Sequence, residues 1–105
     1  MNDKFLSLLG IAKRAGQVSF GHDAVKDAVN SEKAKLIIFT FDSSERLKDE
    51  FRQKLENKDA KIIFSDYSMT DIFSATGSKA AVICVNENGF AKRLCELFNE
   101  KHKEV

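Results

Sequence analysis

The chain of 105 residues contains no proline and no tryptophan, and it has only five glycines and two cysteines. Since proline and glycine dominate linkers and sharp turns, their scarcity leaves little sequence typical of a flexible connection. Low-complexity segments and internal repeats are also missing, while 43% of the residues are hydrophobic and nine are phenylalanine. We therefore expect residues 1–105 to form a single compact domain with a substantial core.

The two cysteines, Cys84 and Cys95, fall in a predicted strand and a predicted helix. Two cysteines at this spacing provide neither a disulfide framework nor the ligand pattern of a zinc site. We expect both to be small core side chains, and we expect neither a metal nor a cofactor.

Long hydrophobic runs and a strong excess of one charge are missing as well. The longest apolar runs, residues 36–39 and 80–85, are far shorter than the roughly 20 residues that span a bilayer. Asp3 lies where a secretory signal would carry cations, so we expect a cytoplasmic protein without membrane contact. The net charge is only +1, whereas sequence-independent binding to polyanions needs many uncompensated cations. Any nucleic-acid site must therefore be local.

Histidine is equally scarce, since His22 and His102 are the only two in the chain. Catalysis needs a positioned nucleophile, base or metal, and because no such set emerges we do not expect an enzyme. Asp23 and Asp42 suggest an acidic pocket like that of a receiver domain, but a receiver needs a further strand-end aspartate and a lysine. For His22 two interpretations stay open: an exposed loop residue, or a ring that stacks on a base or contacts a phosphate.

Hydrophobic periodicity predicts five helices that alternate with four strands. The first helix is capped by Asn2 or Asp3 and ends near Gly16. Asp42 followed by Glu45 resembles the capping box of the third helix. The predicted strands cover residues 18–20, 35–40, 61–65 and 80–85.

The fourth helix is short, and Ser68 with Asp71 can cap it. Strands that are apolar on both faces and separated by helices imply a sheet covered on each side. The predicted fold class is therefore α/β, a single-domain three-layer α/β/α sandwich with a mixed four-stranded sheet. The pattern does not set the strand order, and the short first strand is compatible with an antiparallel edge.

Gly21 separates the first strand from a helical pattern over residues 23–29. A turn of this kind points the N–H groups of a helix start toward solvent, where a phosphate could meet them. The commonest role of such a glycine is simply to supply a backbone conformation that other residues resist. Both interpretations stay open from this residue alone.

Three segments carry a family resemblance: LLGIAKRAGQVSFG at residues 8–21, KAKLIIFTFDSS at residues 33–44, and NGFAKRL at residues 88–94. With them, the chain resembles the bacterial YlxQ-like branch of the kink-turn-binding ribosomal protein superfamily, the seven-Ae and thirty-e proteins. The resemblance extends essentially from end to end. It implies an α/β/α fold and binding of structured RNA through three loops, which are residues 20–27, 42–44 and 76–79 here.

The family pattern opens its second helix with Gly-x-Asn-Glu-x-x-Lys, whose polar residues contact the sheared G·A pairs of a kink-turn. Gly21 matches this pattern, whereas Asp23, Ala24 and Asp27 stand in place of Asn, Glu and Lys. Asn and Lys donate hydrogen bonds to base and phosphate acceptors, whereas an ionised aspartate only accepts them. The base-contacting residues of the family are therefore altered in this chain. A later Leu-Gly step of the family also differs, being Ile72 and Phe73 here.

The predicted RNA-binding residues combine these loops with nearby cations, although Lys13 and Arg14 also suit the dipole at the end of the first helix. We expect structured, kink-turn-like RNA as the partner, including ribosomal RNA, a ribosome-associated role and a monomeric chain. The alternative is a protein-interaction adaptor on the same scaffold, with its acidic end turned toward a basic partner. The predicted site residues are Gly21, His22, Asp23, Lys26, Lys13, Arg14, Asp42, Ser43, Gly77, Ser78 and Lys79.

Overall fold

A computed structural model describes residues 3–101, so the predicted cap Asn2 and the second histidine, His102, lie outside the described residues. Within the described range, the predicted alternation of five helices with four strands is confirmed. None of the helices in this part of the chain is long and apolar enough to cross a membrane. In chain order the elements are α1 (Lys4–Arg14), β1 (Val18–Phe20), α2 (His22–Asn30), β2 (Leu36–Phe39), α3 (Glu45–Lys54), β3 (Lys61–Phe64), α4 (Met69–Thr76), β4 (Val82–Val85) and α5 (Asn88–Lys101).

The four strands form one mixed sheet in the order β1-β4-β2-β3. β2 and β3 are parallel, with Leu36 opposite Lys61, and α3 provides the crossover that a parallel pair requires. β4 is antiparallel to both of its neighbours, so the short β1 forms an antiparallel edge. The mixed sheet predicted from the sequence is therefore confirmed.

The helices cover both faces of the sheet. α1, α4 and α5 pack over one face, in a cluster that includes Leu9, Ile72 and Leu94, all fully buried. α2 and α3 cover the other face, where Val25 and Phe51 are equally inaccessible to water. Because every residue of β2 and β4 is buried, these central strands hold the two layers together and complete the predicted three-layer sandwich.

β3 forms the second edge of the sheet and is more exposed than the pattern predicts. Lys61 is exposed and Phe64 is 46% exposed, but Ile63 is buried on one face and Ile62 packs on the other, so β3 is apolar on both faces as expected. Phe64 stacks on Phe39 at 5.4 Å between ring centroids, and the Arg52 guanidinium lies 5.2 Å from its centroid. The guanidinium of a neighbouring helix residue thus lies over this partly exposed aromatic ring.

The predicted caps are partly right. Ser68 and Asp71 form the expected capping box of α4. At α3 the prediction is wrong, because Ser44 is the N-cap and its hydroxyl accepts the Leu47 N–H at 3.1 Å. Asp42 instead contacts the start of α4, where its carboxylate accepts the Met69 N–H at 3.2 Å.

Asp3 caps α1 and joins a polar contact between the ends of the described chain. It accepts the Leu6 N–H at 3.0 Å and the Tyr67 hydroxyl at 2.7 Å, while Lys101 donates to the same hydroxyl at 3.1 Å. Burial opposes ionisation of Asp3, but these hydrogen bonds and the Lys101 charge hold its pKa below the ordinary value. The predicted role of Gly16 at the end of α1 is confirmed: the helix ends at Arg14, Ala15 is its C-cap, and Gly16 follows in the left-handed conformation with a φ of 76°.

Candidate nucleic-acid interface

The three loops that the resemblance implies meet at one end of the sheet, where β1, β2 and β3 end and β4 begins. The Gly21 N–H donates to the Val82 carbonyl at 2.9 Å, and the Thr40 N–H donates to the Ala81 carbonyl at 3.0 Å. These bonds tie the ends of β1 and β2 to the start of β4. We define the candidate interface as residues 20–27, 42–44 and 76–79 at this end.

Gly21 starts α2 in a conformation that other residues resist. Its φ of 95° lies in the left-handed half of conformational space, and no side-chain hydrogen bond caps the helix there. A Cβ at this position would meet nothing within 4 Å, so the requirement for glycine is conformational and the surrounding space is open. The first-turn N–H groups of α2 therefore lack a capping side chain, which is the state in which a helix start attracts anions.

His22 is the first residue of α2 and not part of the preceding loop. Its Nδ1 lies 2.9 Å from the Asp23 carboxylate, and its Nε2 lies 2.6 Å from the Glu50 carboxylate on α3. The hydrogen bonds to Asp23 and then Glu50 raise the pKa of His22, and the bond from His22 lowers the pKa of Glu50. The imidazolium form is thus favoured and joins two carboxylates beside the start of α2.

Residues 42–44 are held by local bonds and by a contact with α4. The Ser43 hydroxyl is buried and donates to the Thr40 carbonyl at 2.8 Å, so its role in the described structure is to shape the turn. The Thr40 hydroxyl, the Met69 N–H and the Lys79 charge lower the pKa of Asp42. Asp42 is therefore an ionised group that connects this loop to α4 and to the loop that follows it.

The third loop follows the left-handed C-cap of α4 at Gly77, where φ is 82°. The Thr76 hydroxyl donates to the Ile72 carbonyl and accepts the Ser78 N–H at 3.1 Å, which closes the turn. Lys13 reaches across from α1, and its ammonium donates to the Thr76 carbonyl at 2.7 Å. A cation is thereby fixed at the negative end of the α4 dipole, directly beside the loop.

The four predicted cations divide between the two helical layers. Lys13 and the exposed Arg14 end α1 on one side, and the exposed Lys79 lies close enough to Asp42 to influence its pKa. Lys26 belongs to α2 on the other side, where its charge helps to lower the pKa of Glu50. The candidate interface thus has cations on both flanks, with the Gly21 turn and the His22 group between the layers.

Glu50 is a charged residue near the candidate interface that the sequence did not predict. It lies 28 positions from His22, in a helix whose mixed lysines and glutamates resemble any solvated surface. No local spacing connects the two residues. Only the packing of α2 beside α3 brings them together.

Comparisons with known proteins fit this architecture. No protein-family model matches the chain. A solved structure of a protein with unknown function from Bacillus halodurans superposes with a TM-score of 0.84 at 28% identity, over 93% of this chain and 99% of that one. The Giardia lamblia 15.5kD RNA binding protein superposes with a TM-score of 0.71 at 16% identity, over 100% of this chain and 93% of that one.

The fold is therefore the α/β/α sandwich of which the Giardia protein is an example. At the sequence level, the chain is 31% identical over 94 residues to the RNA-binding protein YlxQ of Enterococcus faecium, a match that covers 90% of each chain. The chain belongs to the YlxQ-like family.

Proposed function

We propose that this protein binds structured RNA of the kink-turn type through the candidate interface. The observation that carries the proposal is the 31% identity over 90% of the chain to a relative named as an RNA-binding protein. A protein of the same fold is also named for RNA binding. The partner that we propose is structured RNA, of which ribosomal RNA is the first candidate.

The start of α2 is the proposed phosphate contact. Its N–H groups lack a capping side chain, and the space beside the Gly21 Cα is open. A phosphate oxygen that approaches this turn would accept hydrogen bonds from backbone groups that no side chain occupies. This contact depends on shape and charge, and not on the base sequence.

Lys13 and Lys79 are the proposed second group of contacts. Lys13 is held beside the 76–79 loop by its bond to the Thr76 carbonyl, so little side-chain freedom remains to be lost on binding. Lys79 is exposed and lies near a carboxylate, Asp42, which also attracts it. RNA must compete with that carboxylate, so we expect Lys79 to contribute less than a fully unpaired lysine would.

Carboxylates next to the Gly21 turn limit the affinity. The Asp23 side chain is 99% exposed, and Glu50 and Asp27 add further negative charge on the same side. The hydrogen bonds that His22 makes with Asp23 and Glu50 partly neutralise this group when the imidazole is protonated. We therefore propose recognition by bent shape and phosphate contacts, with base contacts of the family reduced.

The test is a titration of a kink-turn RNA and a matched straight duplex at about 50 and 200 mM salt. We expect the bent RNA to bind more tightly at both salt concentrations. The substitution Lys79→Gln should weaken binding to both RNAs and reduce the salt slope by less than about one, the value for a full phosphate contact. Lys33→Gln removes the same charge from an exposed residue at the opposite end of the sheet and should leave binding unchanged.

Equal and negligible binding of both RNAs at the lower salt concentration would refute the proposal. In that case the exposed carboxylates Asp23 and Asp27 would favour the alternative, an adaptor for a basic protein partner. Recovery of such a partner from a nuclease-treated lysate, and its loss after Asp23→Lys, would then support the adaptor function.

A further inference from the structure

A groove lies at the end of the sheet opposite the candidate interface. It has a volume of about 620 Å³ and is bordered by the turn after α2, the turn after α3 and one side of α5. The starts of β2 and β3 border it through Lys35 and Lys61. Its volume falls within the range of about 300–1,000 Å³ that is typical of small-molecule sites.

The floor of the groove is apolar. Val29, Leu55 and Ala91 contribute buried side chains, and the half-buried Cys95 lies among them. Burial raises the pKa of the Cys95 thiol, although the nearby Lys61 charge opposes this effect. The thiol is therefore neutral at physiological pH and adds to the apolar floor.

The rim carries more cations than the carboxylates of the groove can neutralise. Among residues 3–101, Lys58 pairs with Glu32 across the opening, and Glu96 is engaged by Arg93 outside it. Lys35, Lys61 and Lys92 make no ion pair with any carboxylate in this described part, and Asp59 is the remaining acid of the lining.

The backbones of two of these lysines are neighbours. The Lys61 N–H donates to the Lys35 carbonyl at 3.1 Å, and both side chains border the groove. Lys92 adds a positive charge from α5, so the lining has four lysines and three carboxylates and favours an anionic ligand.

The backbone of Glu32 is a further observation on how the rim of the groove is ordered. Its φ of 62° places a non-glycine residue in the left-handed region, the one such case among the described residues. Glycine would adopt this conformation more easily, but only a carboxylate can hold Lys58 at the opening. The strained residue therefore orders one side of the groove.

We propose that this groove binds a small phosphate monoester whose body has both apolar surface and hydrogen-bonding edges, as a nucleoside monophosphate has. Lys35, Lys61 and Lys92 hold the phosphate at the rim. The apolar floor contacts the body, and the Asn88 and Asn99 side chains, which also line the groove, offer amide donors and acceptors to its polar edges. The site is separate from the candidate interface and does not depend on RNA binding.

The test is calorimetric titration of the full chain with adenosine monophosphate. We expect saturable binding that weakens about tenfold or more in Lys61→Gln, because a charge-assisted bond to the phosphate is lost. Lys33→Gln removes an exposed charge outside the groove and should leave the affinity unchanged. Adenosine, which lacks the phosphate, should bind at least tenfold more weakly.

Alkylation of Cys95 supplies a second measurement. Cys84 is fully buried, and burial raises its pKa to about 12, so a thiol reagent reports on Cys95. We expect adenosine monophosphate to slow the reaction. Binding without protection of Cys95, equal affinity in Lys61→Gln, no saturable binding at millimolar concentrations, or displacement by an RNA oligonucleotide would each overturn the proposal.

Discussion

The family-restoring triple substitution Asp23→Asn, Ala24→Glu and Asp27→Lys is the sharpest prediction from the candidate interface. It replaces two carboxylates on the exposed side of α2 by an amide and an ammonium, both of which donate hydrogen bonds. All three positions are exposed, so the core is unaffected. Loss of the Asp23 carboxylate from the first turn of α2 is offset by the new glutamate at the next position.

The expected gain follows from the number of donors restored. Each good contact with a base contributes about 1–3 kcal/mol, so two such contacts give about 2–6 kcal/mol, or roughly 30-fold to 10⁴-fold in affinity. We expect the lower part of this range, because the Glu50 carboxylate stays bound to His22 beside the new asparagine and continues to repel phosphates there. The free energy of unfolding should change by less than about 1 kcal/mol.

Fluorescence anisotropy with a kink-turn RNA and a straight duplex measures the gain, and urea unfolding checks stability. The triple substitution changes the net charge by +2, so the matched control is Glu56→Lys, which makes the same change at an exposed residue after α3. We expect only the triple variant to gain more affinity for the bent RNA than for the straight duplex. An equal gain in both variants would mean that only bulk charge matters, and no gain would place the RNA elsewhere.

Three further predictions concern the fold. Tyr67→Phe removes the hydroxyl that donates to Asp3, and it should lower the free energy of unfolding by about 1–3 kcal/mol in urea titrations, whereas an unchanged midpoint would contradict the role of this contact. His22→Gln should flatten the pH dependence of stability. Because the pKa of His22 is raised in the folded protein, the stabilisation that protonated His22 provides is present below the unfolded pKa of 6.5 and is lost as the pH rises through the folded pKa. The melting temperatures of the wild type and the variant should therefore converge at alkaline pH. Phe51→Ala empties a fully buried position between the sheet and α2, and chemical unfolding should show a loss of about 3–5 kcal/mol; a loss below 1 kcal/mol would mean that α3 repacks.

The elements of this fold were predictable because their signals are local. The apolar spacing of α1 and the fully apolar β2 identify a helix and a buried strand without reference to the rest of the chain. The same locality explains the wrong cap of α3. Asp42 and Ser44 are both good N-cap residues two positions apart, and the choice between them depends on Met69, which is distant in sequence.

The candidate interface was predictable only in outline. The Gly21 turn has a local signal, and the structure gives it the positive φ that such a turn requires. The partners of His22 and Lys13 have none, because Glu50 lies 28 positions from the first and Thr76 lies 63 positions from the second. Side-chain chemistry that depends on the packing of separate helices cannot be derived from spacing along the chain.

The exposed edge at β3 has a consequence for self-association. An uncovered strand presents unpaired N–H and C=O groups, which can template the addition of a foreign strand and so start aggregation. Here the edge strand is four residues long. Lys61 is its first residue, and the Arg52 guanidinium lies over the ring of Phe64, its last residue. A second chain would have to remove water from an ammonium and a guanidinium before pairing, so the β3 edge of this sheet resists the addition of another strand.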